Sequence, residues 1–108
     1  MMQKTAINVK TGLFNQIIDV LQEWNFKLIA EYSPDYFDKA VDFDYFKCLK
    51  GNQIIELVWD NWQEGEIRAS SGLFYQLENE LNCKFDYGQD DLFEHYQYKL
   101  QATDLMYY

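Results

Sequence analysis

One histidine, two cysteines and eighteen carboxylates are the side chains of this 108-residue chain that could carry chemistry. His95 stands alone, which excludes a relay or a metal site built from several imidazoles. Paired with Cys48 or Cys83 it would make a dyad in which imidazole takes the thiol proton for nucleophilic attack. Neither cysteine lies in a recognisable nucleophile motif, and cysteine is among the most buried residue types, so both read as reduced core thiols. No spacing among the carboxylates singles out a pair for acid–base work. The chain is therefore expected not to be an enzyme.

The acids do not fit a cation loop either. Calcium loops of the EF-hand kind need oxygen ligands at alternate positions, a central glycine and a terminal glutamate. Asp35, Asp38, Asp42 and Asp44 lack both spacing and glycine, and Asp86-Tyr87-Gly88-Gln89-Asp90-Asp91 has the glycine without the alternation. The glycines stand singly, so no loop cradles a phosphate. Neither metal nor cofactor is expected.

What remains is charge pattern. The formal net charge is −9, and two stretches carry most of it. Residues 31–46 hold five acids against Lys39, and residues 86–104 hold five against Lys99, each a net of −4. The first stretch interleaves its acids with Tyr32, Tyr36, Phe37, Phe43, Tyr45 and Phe46. Carboxylates steer and specify while rings supply contact area, a combination suited to gripping a basic protein. Asp35, Tyr36, Asp38, Asp42 and Asp44, with Trp62 and Glu64 from a second loop, are the candidate partner-binding residues. The same negative balance would repel nucleic acid and anionic membrane, so neither is expected as a direct ligand.

The elements that must position these residues follow from periodicity. Residues 1–108 read as a single α+β domain of a size that can bury a core without staples. Leu13, Phe14, Ile17, Ile18, Leu21 and Trp24 make the apolar stripe of an amphipathic helix at about 12–25, with Thr11 as N-cap and Asn25 as its stop. Leu73, Phe74, Leu77 and Leu81 make a second at about 71–83, begun by Ser70 or Ser71, with Glu78 and Glu80 in solvent. Residues 26–32 alternate as a strand, and residues 40–70 read as a three-stranded antiparallel meander turning at Lys50-Gly51-Asn52 and Asn61–Gly65. Ile7 and Val9 suggest an edge strand. Ser33-Pro34 predicts a short turn of helix over 35–39. Strict alternation over Val41–Tyr45 predicts Asp42 and Asp44 on the solvent face, with a bulge near Tyr45–Phe46 where the parity changes. Residues 91–102 fit helix and strand alike, the helix favoured by Asp91 and Glu94 as a capping box.

No run is apolar enough to span a membrane, the N-terminus has no signal-peptide pattern, and two separated cysteines make no disulfide framework, so a cytoplasmic location is expected. Size, surplus acid, aromatic–acid segments and the lack of an enzymatic motif converge in Asp35-Tyr36-Phe37-Asp38, Asp42-Phe43-Asp44-Tyr45 and Asp60-Asn61-Trp62-Gln63-Glu64. In these respects the chain resembles the small acidic bacterial immunity proteins that neutralise polymorphic or contact-dependent growth-inhibition toxins. The resemblance implies an inhibitor that plugs the basic active site of a nuclease toxin, its carboxylates standing in for substrate phosphates. Two other classes fit the composition: a DNA mimic, which needs acids at regular spacing along an extended surface, and a small acidic scaffold subunit whose charge only keeps it dissolved.

Overall fold

The computed structural model describes residues 2–108. The fold is α+β, with strands β1 (Gln3–Val9), β2 (Lys27–Tyr32), β3 (Phe43–Lys50), β4 (Gln53–Asp60), β5 (Glu64–Ser70), β6 (Asp86–Tyr87) and β7 (Leu105–Tyr107). They form one antiparallel sheet in the order β6-β1-β5-β4-β3-β2-β7. Helices α1 (Thr11–Glu23), α2 (Ser71–Leu81) and α3 (Asp91–His95) pack against it. No helix among the described residues is long and apolar enough to cross a membrane.

The two amphipathic helices lie as the sequence predicts. Phe14, Ile17, Val20 and Leu21 of α1 and Leu73, Phe74 and Leu77 of α2 are buried against Ile55, Leu57, Ile67 and Ala69 of the sheet. Gly65 makes this approach possible: a Cβ there would lie 2.7 Å from the Phe14 ring. Ser70 Oγ accepts the Leu73 N–H and caps α2, whereas Thr11 caps nothing and instead accepts the Trp59 indole N–H at 2.9 Å. Asn25 and Asn82 end their helices with φ of +66° and +49°, a left-handed turn that asparagine tolerates better than most residues.

The opposite face of the sheet is covered as well, by residues 91–105. There Leu92, Phe93 and Tyr96 pack on Tyr32, Phe43, Tyr45 and Val58. Two covered faces explain the change of parity in β3 without a bulge. Its register against β4 is unbroken from Phe43↔Asp60 to Lys50↔Gln53, with Phe43 and Tyr45 facing the C-terminal segment and Phe46 and Cys48 facing the helices. The irregularity lies instead in β2, between Leu28 and Ala30. It moves Tyr32 to the second face, away from Leu28.

Four further expectations are corrected. Residues 34–39 form turns rather than a helical turn, because Ser33 Oγ takes the Asp35 N–H and Ala40 sits at φ +63°. Residues 91–102 divide into α3 and two short 3-10 turns, with a strand only at β7. The capping box is not made: Glu66 of β5 accepts the Leu92 and Phe93 N–H groups at 3.0 and 3.3 Å and caps α3 across the fold. Glu78, expected in solvent, instead accepts the Phe85 N–H and the Tyr87 hydroxyl.

Burial pushes the Cys48 thiol up to about 11, and burial with the nearby Glu78 raises Cys83. Both cysteines are half-buried and pack against the helix-side core. At mildly alkaline pH each should therefore react with a thiol reagent far more slowly in the folded than in the urea-unfolded protein, since only thiolate reacts. Rapid labelling of native Cys48 would contradict this.

Candidate binding face

Chain direction brings the β2–β3 connection, residues 33–42, and the β4–β5 hairpin, residues 61–63, to one end of the sheet. The Asn61 N–H donates to the Asp42 carbonyl at 3.0 Å and joins the two loops. From this end project Phe37, 94% exposed, Val41, and Trp62, 68% exposed. Tyr36 is exposed too, but its ring stacks on Tyr32 at 5.1 Å and its hydroxyl donates to Asp104 at 2.8 Å.

The acids of this region divide into two sets. Asp35, Asp42 and Glu64 make no ion pair among the described residues. Asp38 is turned inward: one oxygen accepts the Tyr32 hydroxyl at 2.8 Å and the other meets Lys99 at 2.5 Å. Burial alone would raise its pKa, but Lys99 and Tyr32 outweigh it and hold the carboxyl below its ordinary value. Asp44 is the clear correction. It is 6% exposed rather than solvent-facing, because it pairs with Trp59 on the helix-side face, where Lys39 meets it at 2.6 Å and Glu31 at 2.8 Å. Burial outweighs that ion pair and raises the Asp44 pKa.

Sequence reasoning missed Asp60 and undervalued Phe37. Asp60 is 1% exposed at the end of β4. Its Oδ1 accepts the Trp62 and Gln63 N–H groups at 3.1 and 2.5 Å, and its Oδ2 accepts the Tyr96 hydroxyl at 2.6 Å. The signal was the spacing Asp60-Asn61-Trp62, an Asx-type turn in which the side chain takes N–H groups two and three residues on. Phe37 carried the same acid–aromatic signal as Tyr36 beside it.

The groups that could do covalent chemistry are kept apart. His95 lies on α3 against the second face, while Cys48 and Cys83 pack with the helix-side core, so the sheet separates Cys48 from the imidazole. No group of three or more His, Cys, Asp or Glu side chains that could hold a metal converges among the described residues. What the exposed end offers is contact: rings to bury and carboxylates to attract. Comparison with protein-family models, curated proteins and solved structures found no match for this chain.

Proposed function

We propose that this chain is an immunity-type inhibitor that binds and neutralises a basic protein partner, a bacterial nuclease toxin domain, in the cytoplasm, and that it is not itself an enzyme. The observation that carries this reading is the pairing of Phe37, Val41 and Trp62 with Asp35, Asp42 and Glu64 on two loops joined by the Asn61–Asp42 hydrogen bond. Large exposed rings are the side chains that anchor interfaces, and unpaired carboxylates beside them favour a partner of opposite charge. The inward turn of Asp38, Asp44, Asp60 and Glu66 leaves these acids unable to form a phosphate-like track, which favours a compact patch over a DNA mimic.

Binding kinetics across a salt series, with a captured basic partner, test the reading. Steering by carboxylates acts over about 8 Å at physiological salt, so association should slow as salt rises while dissociation changes little. Asp35→Asn with Asp42→Asn should lower the on-rate. Trp62→Ala or Phe37→Ala should instead speed dissociation, by about tenfold or more if either ring is a buried anchor. The control is Asp19→Asn with Glu23→Gln on α1, both exposed and outside the two loops. An equal effect there would reduce the interaction to net charge, and failure to bind any basic toxin domain would favour the scaffold reading.

A further inference from the structure

The two loops of the proposed face are both tied to the C-terminal segment that covers the second side of the sheet. The hairpin is tied through Asp60 to Tyr96. The β2–β3 loop is tied through Asp38 to Lys99, through Tyr36 to the Asp104 carboxylate, and by the Ser33 N–H, which donates to the Asp104 carbonyl at 3.0 Å. We propose that Asp60 and Asp38 are positioning residues, which lock Trp62 and Phe37 in place against residues 96–104 so that the binding face is preorganised before a partner arrives. This rests on the reading of the two loops as a contact surface, and it gives Asp38 an internal role rather than one of touching the partner.

The physical reason lies in the cost of ordering an interface. A large side chain immobilised only on binding charges its lost rotamer freedom against affinity, and a loop fixed beforehand does not. A bare three-residue hairpin loop would not hold Trp62 still, and Glu64 after it adopts an unfavourable φ of +67°. Asp60 compensates by taking two loop N–H groups with one buried oxygen, while Tyr96 fixes the other oxygen and hence the carboxylate plane. Lys99 plays the corresponding part at Asp38, its ammonium also lying 5.2 Å from the Phe43 ring centroid. Contact and support are thus divided: Phe37, Trp62 and Asp35 are exposed, and the buried Asp60 and half-buried Asp38 hold the two loops from behind.

Amide hydrogen exchange in the free protein tests the positioning without any partner. Tyr96→Phe should speed exchange at Trp62 and Gln63 by about tenfold while the amides of Leu57 and Ile67 stay as slow as in the parent protein. Asp60→Ala should do more, and Asp60→Asn should restore most of the protection, because an amide oxygen can still accept both N–H groups. If Asp60→Ala does not fold, Tyr96→Phe and Asp60→Asn carry the comparison. Lys99→Met should loosen residues 36–42 and leave the hairpin unchanged. Loop exchange identical to the parent protein in Tyr96→Phe, or acceleration shared equally by the core amides, would overturn the proposal. So would loosened loops with unchanged affinity for the captured partner. Unchanged affinity in Trp62→Ala is a different failure, which sinks the binding-face reading itself.

Discussion

Phe43→Ala should lower the unfolding free energy by about 3–5 kcal/mol, and Leu57→Ala by about 2–5 kcal/mol. Both side chains are fully buried, on opposite faces of the same sheet. Leu57 lies in β4, at the middle of the strand order, beneath the two long helices. Phe43 meets Tyr32 edge-on at 4.9 Å and Tyr96 at 4.6 Å, so its removal leaves a cavity lined by rings that cannot easily collapse. Because every strand contributes to one continuous sheet, neither core should melt alone. Near-ultraviolet dichroism in the tyrosine bands, to which the buried Tyr32, Tyr45 and Tyr96 of the second face contribute, and far-ultraviolet dichroism should report one transition in denaturant for each variant. A Phe43→Ala protein whose near-ultraviolet signal is lost well before its far-ultraviolet signal would show that residues 91–105 are a separable layer. A cost below about 1 kcal/mol for Leu57→Ala would contradict its central place.

The parts of the fold legible in the sequence were those decided by neighbours along the chain. The stripes Phe14-Ile17-Leu21 and Phe74-Leu77 have one apolar face each, and Gly51-Asn52 supplies the φ of +61° that a tight hairpin requires. Both faces of β4 are apolar, with Ile55 and Leu57 on one and Val58 on the other, as suits a strand in the middle of the sheet. The misreadings share a cause. Alternation in Val41–Tyr45 says which residues share a face but not whether that face is wet, and here both faces are dry. Asp44 is buried because Lys39 reaches it, Asp60 because Tyr96 does, and Glu66 because α3 begins above it. The last two partners lie 36 and 26 residues away, so no local pattern announces them. Exposure of Trp62 was legible, since a large ring in a short hairpin loop has little to pack against. The tie between that loop and Asp42 was not, because it is a backbone bond between two loops remote in sequence.

Glu66 separates the need for an acceptor from the need for a charge. Its Oε1 accepts two N–H groups at the start of α3, and the residue is buried within β5. Burial raises its pKa; the Leu92 and Phe93 N–H groups lower it by less, and Asp91 and Asp90 add to the rise. A carboxyl whose folded pKa lies above its unfolded value favours the folded state when protonated. The stabilisation is complete below the ordinary glutamate value of 4.5 and is lost as pH rises through the raised folded value. Asp44 acts in the same sense, whereas Glu31 and Asp38, whose pKa values are lowered, contribute stability above their ordinary values and lose it in acid. Glu66→Gln keeps an oxygen acceptor and abolishes the titration. It should therefore match or exceed the parent protein in stability at neutral pH, and the advantage should shrink as pH falls toward the carboxylate range. Glu66→Ala leaves both N–H groups without a partner and should cost about 1–3 kcal/mol, more in acid than at neutral pH because it too removes the titration. Denaturant titrations of the three proteins from mildly acidic to neutral pH measure the difference. If Gln proves as costly as Ala, the ionised carboxylate is stabilised by the helix start more than it is penalised by burial, and the assigned direction of the Glu66 shift is wrong.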